Sequence, residues 1–279
     1  MPRAARVPLL GAAVCAALLV ATGCLTFLSA SFRARDAASL DGFMALERSR
    51  LGPQTGMWAH LVDPPVYGLA ALVLIGLGLH FHGRRNAVVI AMVLIGSGVT
   101  TKILKTVLDV PRPSDLLFKQ VAAVSWPSGH ATAALSLAIC LVLAVPPARR
   151  PLAALVGAPF AIVVSYSTLV QGWHFPSDTI GGFLVAAIWG FLALALLAGH
   201  RVPATDGEPA RRLLRRTDLL TLAGGLAGAA AALIAVAAIT HRDDPGPFVQ
   251  GHGSFLFVAG LIAVLATAVA AGLAHVSRD

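Results

Sequence analysis

Eight long apolar runs, separated by shorter polar stretches, dominate the pattern of this chain. Each run holds roughly 20 residues, the length that a helix needs to cross the hydrocarbon core of a bilayer. The runs span residues 7 to 29, 64 to 82, 87 to 108, 128 to 146, 151 to 171, 177 to 199, 219 to 240 and 254 to 275. The pattern therefore predicts an all-α fold, a polytopic transmembrane bundle of eight helices.

Composition supports a membrane protein and argues against nucleic-acid binding. Apolar residues occupy 57% of the 279 positions, charged residues only 12%, and the mean hydropathy is +0.80. A chain this apolar cannot hide its surface in one soluble core. The net charge of +8 comes mostly from basic residues in short loops, without a basic stripe that interleaves aromatic residues. Three lysines against eighteen arginines, with abundant alanine, favour a GC-rich bacterial genome and hence a bacterial cell membrane.

Basic residues in the loops predict the orientation of the helices. With the N-terminus inside, twelve Lys and Arg residues fall on the cytoplasmic side and nine on the opposite side. Both termini are therefore predicted to be cytoplasmic. The longest non-cytoplasmic loop, residues 30 to 63, is interpreted as a solvated connector in preference to a lid or an interfacial helix.

A cationic segment ends the third apolar run. Lys102 and Lys105 stand three residues apart, so they are expected on one helix face. Pro111 and Pro113 then stop the helix and stiffen the approach to Arg112. Lysines that snorkel at a membrane edge are the alternative. The functional interpretation is a cradle for an anion, in which Arg112 grips two oxygens at once.

The fourth run opens with Pro127-Ser128-Gly129-His130. Pro127 is predicted to lie in the first helical turn, and Gly129 lets a backbone NH approach a ligand without a side chain in the way. A helix start with free NH groups and a serine hydroxyl is an anion site. His130 stands beside this site as a proton donor.

His174 and Asp178 flank Pro176, which is expected in the first turn of the sixth membrane helix. An imidazole that donates one NH to a carboxylate keeps one tautomer and a basic second nitrogen, as a nucleophile or general base requires. A capping aspartate beside an interfacial histidine is the alternative. In the predicted topology the three motifs meet at the non-cytoplasmic ends of helices three to six, which favours the catalytic interpretation.

These residues resemble the signature of the type 2 phosphatidic acid phosphatase (PAP2) superfamily. Its motifs are Lys-x6-Arg-Pro, Pro-Ser-Gly-His and Ser-Arg-x5-His-x3-Asp, and they correspond here to Lys105 to Pro113, Pro127 to His130 and Ser167 to Asp178. The resemblance covers about residues 60 to 200 and implies a six-helix core built from the first six runs. The predicted division is a PAP2-like core over 1–200 with its motifs within 102–182, a basic cytoplasmic linker over 201–218 and two additional membrane helices over 219–279.

The resemblance implies a metal-independent hydrolase that needs no cofactor and acts through a phosphohistidine. His174 would attack phosphorus, and Asp178 would orient the attacking ring. His130 would protonate the leaving alkoxide and later activate water. The phosphoryl oxygens would be held by Lys105, Arg112, Ser128 and the amide of Gly129.

Thr168 departs from the family pattern, which has an arginine at this position. A lost charge-assisted hydrogen bond is worth about 1.5 to 3 kcal/mol, or on the order of ten- to a hundredfold in rate. The hydroxyl of Thr168 is expected to give the phosphate one neutral hydrogen bond instead. Lys102, one turn before Lys105, is predicted to supply the missing positive charge, with Gln171 and Lys119 as further candidates.

Two functions from different classes remain open at this point. The leading one is a lipid-phosphate phosphatase at the outer membrane face, acting on polyprenyl phosphate or diphosphate, phosphatidic acid, phosphatidylglycerol phosphate or a polyprenyl-phosphosugar phosphate. The alternative is a catalytically weakened protein that binds or transports such a lipid. His130, His174 and Asp178 favour the enzyme, because a binder needs neither a general acid nor an oriented nucleophile. Lipid phosphate and membrane lipids are the predicted partners, and the oligomeric state is left open.

Overall fold

The computed structural model describes residues 3–47, 52–108, 124–198 and 253–276. These segments form helices and contain no strand. The helices are α1 (Arg3–Leu28), α2 (Ala30–Met44), α3 (Gly52–Ala59), α4 (Pro64–His82), α5 (Arg84–Val107), α6 (Gly129–Ala144), α7 (Arg150–Val170), α8 (Pro176–Ala198) and α9 (Gly253–Val276). Short 3-10 turns, His60–Val62 and Pro147–Arg149, precede α4 and α7.

The all-α membrane architecture predicted from the sequence is confirmed. Helices α1, α4, α5, α7, α8 and α9 are long and apolar enough to cross a membrane, and α6 is an apolar helix of 16 residues. Seven of the eight predicted runs are helices whose ends lie within four residues of the prediction. The eighth, 219 to 240, lies outside the described residues together with the linker 201–218. The count of eight membrane helices therefore stays a prediction.

The interpretation of residues 30 to 63 as a solvated connector is wrong. Helices α2 and α3 occupy much of this stretch, and Asp36, Leu40 and Phe43 of α2 are buried. Their spacing of three and four residues places them on one face of the helix. This face packs against α7, α8 and α9. A segment whose mixed charge suggested a loop is therefore a layer of the bundle.

Helices α6 and α8 form the centre of the bundle. α6 is buried along most of its length and contacts α4, α5, α7, α8 and α9. Gly182 of α8 lies against the first turn of α6, where an added Cβ would stand 2.5 Å from the carbonyl oxygen of Ser128 and 3.0 Å from Cβ of Ala131. Because glycine has no side chain, the two backbones approach closely. This contact brings the N-terminal ends of α6 and α8 together.

Paired hydroxyl groups join α5 to α6. Oγ of Ser97 lies 2.8 Å from Oγ of Ser136, and Oγ1 of Thr101 lies 3.0 Å from Oγ1 of Thr132. Hydrogen bonds of this kind between membrane helices contribute about 0.6 to 2 kcal/mol each. They set the position of α5, whose C-terminal end carries Lys105, relative to the N-terminus of α6.

The C-terminal helix α9 packs on the core of the bundle rather than apart from it. Phe255 is buried against Phe43 of α2, with ring centroids 4.7 Å apart. Tyr166 of α7 donates a hydrogen bond of 2.5 Å to the carbonyl oxygen of Ala259. Helix α9 therefore holds both α2 and α7.

Candidate active site

The connection between α7 and α8 sets the position of His174. The NH of Trp173 donates to the carbonyl of Thr168 at 2.9 Å, the bond that closes a Schellman motif at the end of α7. Gly172 has a φ of 67°, a left-handed conformation that glycine adopts without the steric cost of a Cβ. The chain turns sharply there, so His174 lies between the end of α7 and the start of α8 at Pro176.

Asp178 lies in the first turn of α8 and faces both the helix start and His174. Its Oδ2 accepts a hydrogen bond of 2.9 Å from the NH of Phe175 and lies 3.5 Å from Nδ1 of His174. Asp178 is fully buried, and His174 is 6% exposed. One oxygen of Asp178 therefore caps the start of α8 and also faces His174. The two interpretations that the sequence leaves open, a capping aspartate and a carboxylate beside the histidine, are compatible.

The contact between His174 and Asp178 is longer than a hydrogen bond. Nδ1 of His174 is buried and has no hydrogen-bond partner in the part of the chain that the structure describes. At 3.5 Å, a small rotation of the ring brings the two atoms within bonding distance. Catalytic hydrogen bonds commonly tighten in this way only when the ligand binds.

His130 faces His174 across the site. The two ring centroids are 5.8 Å apart, and the ring planes make an angle of 61°. The indole of Trp173 packs beside His130, with centroids 5.5 Å apart. The side chain of His130 is 28% exposed, so it is the more open of the two imidazoles. The two imidazoles are therefore in edge-to-face contact.

The N-terminus of α6 borders the two histidines. Ser128 caps the helix, because its Oγ accepts from the NH of Ala131 at 3.3 Å while its own NH donates to the carbonyl of Asp178 at 2.8 Å. Pro127 precedes this cap, so the prediction that it lies in the first turn is wrong; the serine oxygen, which pairs with an otherwise free NH, begins the helix. At Gly129 no described residue has a heavy atom within 4 Å of the place of a Cβ, so none of them blocks a ligand from its backbone there.

Lys105 lies at the site, whereas Lys102 does not. Lys105 is half-buried and close enough to Asp178 and His130 for electrostatic interaction. Lys102 is exposed, and no contact between its side chain and the site is seen among the described residues. Positions three apart differ by about 60° around a helix axis, which is enough to separate the two ammonium groups. Arg112 lies outside the described residues, as does Lys119.

Thr168 uses its hydroxyl within its own helix. The side chain is fully buried, and Oγ1 donates a hydrogen bond of 2.8 Å to the carbonyl of Ser165. In this conformation the hydroxyl has no proton left for a phosphoryl oxygen. Gln171, a further candidate to replace the family arginine, donates from Nε2 to Oγ1 of Thr55 at 2.9 Å.

Two acidic residues that the sequence analysis did not single out lie beside the motifs. Asp36 of α2 accepts hydrogen bonds from the NH and Oγ of Ser177, at 3.0 and 2.5 Å. Asp63 lies 3.9 Å from Nε2 of His130 and 2.8 Å from Nδ1 of His60. Asp63 directly precedes α4, at the same ends of the helices as the motifs. This position in the sequence could have identified it as a residue near the site. Asp36 carries no such local signal.

The fold and the site define a class of protein. The described segments contain no cluster of three or more His, Cys, Asp or Glu side chains that could hold a metal ion. The polar groups that they bring together are two imidazoles, a buried carboxylate, a lysine and a helix N-terminus. The protein is therefore an integral membrane protein with a paired-histidine site that suits an anionic group.

Comparison with known proteins finds a family model that matches the central part of the chain. Residues 86–201 match the family model of the PAP2 superfamily. The resemblance to this superfamily, which the sequence analysis drew from the three motifs, is confirmed over this segment.

Two curated relatives come from Bacillus subtilis (strain 168). Undecaprenyl-diphosphatase BcrC is 28% identical over 135 residues, which are 45% of this chain and 67% of that protein. Phosphatidylglycerophosphatase B is 26% identical over 131 residues, which are 44% of this chain and 64% of that protein. The matches therefore span only about two thirds of each relative.

The fold is also that of a solved structure. A crystal structure of a transmembrane PAP2-type phosphatidylglycerolphosphate phosphatase from Bacillus subtilis matches with a TM-score of 0.58 and 19% sequence identity. The match covers 70% of this chain and 99% of that one. This likeness shows that the helical architecture is shared.

Proposed function

We propose that this protein hydrolyses a lipid phosphate through a phosphohistidine intermediate. The observation that carries the proposal is the facing pair of imidazoles, His130 and His174, with the carboxylate of Asp178 3.5 Å from Nδ1 of His174. Phosphoryl transfer to an enzyme needs a nucleophile on one side of phosphorus and a proton donor at the leaving oxygen on the other. Both groups stand within reach of one phosphoryl group. The names of the PAP2 relatives as lipid phosphatases support the same activity.

In the first step, Nε2 of His174 forms a bond to phosphorus, and the bond between phosphorus and the lipid oxygen breaks. Nδ1 carries its proton on the side of Asp178, which leaves the lone pair on Nε2 and stabilises the positive charge that the ring gains. His130 gives its proton to the departing lipid oxygen. In the second step, water gives a proton to His130 while its oxygen attacks phosphorus, which releases inorganic phosphate and restores His174.

The phosphoryl oxygens are held, in this proposal, by the N-terminus of α6 and by cations. Ser128 and the amide of Gly129 stand at the positive end of a helix dipole, which favours an anion. Lys105 adds a positive charge from α5, and Arg112 is assigned as the second cation from its place in the first motif. The binding role predicted for Thr168 requires its hydroxyl to leave the carbonyl of Ser165.

Replacing Lys105 with alanine is expected to weaken the enzyme far more than replacing Lys102. Loss of a charge-assisted hydrogen bond to phosphate costs about 1.5 to 3 kcal/mol, so kcat/KM of Lys105→Ala should fall about ten- to a hundredfold. Lys102→Ala should stay within about twofold, because that side chain is exposed. Steady-state phosphate release from one lipid phosphate, measured on both variants, checks the difference. Equal losses of kcat/KM in the two variants would indicate that Lys102 also binds the phosphate.

A cavity of about 260 Å³ beside Gly129 suits the apolar tail of the substrate. It lies between α4, α5 and α6, and its lining includes Val62, Gly98 and Ala133. A lipid whose phosphate binds at the N-terminus of α6 can place its first tail segments in this cavity, whose lining also includes the hydroxyl residues Tyr67, Ser97, Thr101 and Thr132. The phosphate and the tail are thus recognised by adjoining parts of one site.

Filling this cavity is expected to raise KM for substrates that carry an apolar tail. In the described part of the chain, Gly98 has no heavy atom within 4 Å of the position of an added Cβ, so the side chain of Gly98→Leu meets no neighbour there. Displacing two methylenes at about 0.8 kcal/mol each should raise KM for a long-tailed lipid phosphate about tenfold. Hydrolysis of p-nitrophenyl phosphate, which has no tail, should change less than about twofold. Gly76→Leu on α4, equally open but outside the cavity lining, is the matched control, and equal effects on both substrates would contradict the assignment.

We further propose that the site faces the non-cytoplasmic side of a bacterial cell membrane, with both termini cytoplasmic. The distribution of Lys and Arg over the loops supports this orientation. The proposed organisation remains a PAP2 core over 1–200, a basic linker over 201–218 and additional membrane helices over 219–279.

The test is release of inorganic phosphate by the detergent-purified protein. The panel begins with undecaprenyl diphosphate and phosphatidylglycerol phosphate, the substrates in the names of the relatives, and adds undecaprenyl phosphate and phosphatidic acid. His174→Ala sets the background, and each assay is run with a chelator and again with Mg²⁺. Release above background supports the phosphatase, and retention of activity with the chelator supports metal independence. Lipid binding without release would favour a binding or transport protein.

A further inference from the structure

Helix α2 places a buried carboxylate against the first turn of α8. Asp36 is 7% exposed, and its two oxygens accept hydrogen bonds from the NH of Ser177 at 3.0 Å and from Oγ of Ser177 at 2.5 Å. Ser177 itself is 1% exposed. The two residues are 141 positions apart in the chain, so this contact is tertiary and not part of a local turn.

The physical reason for the contact is the free end of α8. The first NH groups of a helix have no partner within it, and they form the positive end of its dipole. Ser177 is the second residue of α8, so its NH needs an acceptor from elsewhere, and Asp36 provides a charged one. A buried carboxylate is stable only when such donors compensate for its lost hydration. The pair therefore fixes the first turn of α8 to α2.

This turn carries the groups of the proposed phosphoryl transfer. Ser177 directly precedes Asp178, whose Oδ2 accepts from the NH of Phe175 at 2.9 Å and faces Nδ1 of His174 at 3.5 Å. Movement of the backbone at Ser177 would shift this carboxylate relative to the imidazole. A displacement of about 1 Å in such a site can cost about a hundredfold in rate.

We propose that Asp36 is a positioning residue for His174, acting through Ser177 and Asp178. The inference rests on the proposed phosphatase activity and assigns a role to a helix that precedes the PAP2 match at residues 86–201. Helix α2 is in turn held by α9, which follows that match, through the contact of Phe43 with Phe255. In this proposal, helices α2 and α9, which lie outside residues 86–201, help to position His174, which lies within them.

The experiment compares Asp36→Ala, Asp36→Asn and Ser177→Ala with Asp41→Asn, a control at an exposed position on the same helix. In Asp36→Ala, kcat on the best lipid of the panel should fall about ten- to a hundredfold. KM should change less than about threefold, because the proposal has Asp36 act on the position of His174, and no contact of Asp36 with Lys105, Ser128 or Gly129 is seen among the described residues. Asp36→Asn keeps one acceptor oxygen and should recover part of kcat. Asp41→Asn should match the wild type.

A second readout is independent of turnover. Nitrogen NMR of histidine-labelled protein reports the proton on each ring nitrogen, and the signal of His174 is the one that His174→Ala removes. The wild type should hold this proton on Nδ1, whereas Asp36→Ala should show mixed tautomers. If Asp36→Ala does not fold, Asp36→Asn and Ser177→Ala are compared with the wild type instead. Their kcat and their His174 spectra should change in the same direction as expected for Asp36→Ala, but less.

The outcomes separate this inference from the proposed activity. Wild-type protein that releases no phosphate would overturn the activity, and the His174 spectrum would then decide the positioning role alone. Active wild type, with Asp36→Ala no slower than Asp41→Asn and an unchanged His174 spectrum, would overturn the positioning role alone. A fall in kcat with a shifted spectrum, both partly rescued by Asp36→Asn, supports it.

Discussion

Replacing His174 with alanine is expected to reduce phosphate release by about 10⁴-fold or more, as removal of an enzyme nucleophile typically does. The proposed mechanism routes every turnover through a bond between phosphorus and Nε2 of this residue. In this mechanism His130 does not take its place, because its ring lies across the site with its centroid 5.8 Å away, where the proposal places the leaving group. The measurement is steady-state phosphate release, together with retention of radiolabelled phosphate on acid-quenched protein.

The matched variant His130→Ala separates the roles of the two histidines. Loss of general acid and base catalysis should slow hydrolysis of a lipid phosphate by about 10² to 10⁴-fold. With p-nitrophenyl phosphate, whose leaving group departs without a proton, the first step should continue while the second stalls. Labelled phosphate should therefore accumulate on His130→Ala and be absent from His174→Ala. Label on His174→Ala would contradict the assignment of the nucleophile.

Replacing Gly182 with leucine is expected to disrupt both stability and activity, because this glycine lets α8 lie against the start of α6. A Cβ there would stand 2.5 Å from the carbonyl oxygen of Ser128 and 3.0 Å from the backbone nitrogen of Thr132. Both contacts are with backbone atoms, which cannot rotate away as a side chain would. Overpacking of a core costs about 1 to 3 kcal/mol, and we expect the upper end or more here. Thermal unfolding and phosphate release of the detergent-purified variant measure the two effects.

The effect on activity should exceed what the loss of stability explains. Separation of α6 from α8 breaks the bond from the NH of Ser128 to the carbonyl of Asp178 and moves His130 away from His174. Folded Gly182→Leu protein should therefore release phosphate at least about a hundredfold more slowly. Gly260→Leu on α9, where an added Cβ meets no heavy atom of the described residues within 4 Å, is the control. Wild-type activity in folded Gly182→Leu would show that the approach of the two helices is not needed.

The membrane helices and the three motifs could be predicted from the sequence for simple physical reasons. An apolar run long enough to cross a bilayer leaves few alternatives to a helix, and the run at 64 to 82 has the bounds of α4. Pro176 begins α8 as expected. His174 and Asp178 meet because only a single turn separates them.

The contacts made by α2 and α3 could not be predicted in the same way. Asp36 binds Ser177 across 141 positions, and no spacing or periodicity links two such residues. The charges of residues 30 to 63 suggested exposure, whereas the buried face of α2 depends on which helices surround it. Thr168 shows a related limit, because the sequence reveals a hydroxyl but not the carbonyl of Ser165 that takes its proton. Contacts between residues far apart in the chain depend on how the helices pack, and a local sequence pattern carries no information about that packing.

The shortness of α6 has a consequence for how a lipid reaches the site. Its 16 residues are about four fewer than a full span needs, a deficit of about 6 Å. The far ends of α4 and α6 are level, since Nε2 of His82 lies 3.1 Å from the carbonyl oxygen of Val145. With the far ends of both helices at one bilayer surface, the missing length falls at the end of α6 that bears His130. In the proposed function, a lipid phosphate would then reach His130 within the thickness of the bilayer, and its hydrocarbon would not have to be lifted into water at about 0.8 kcal/mol for each exposed methylene.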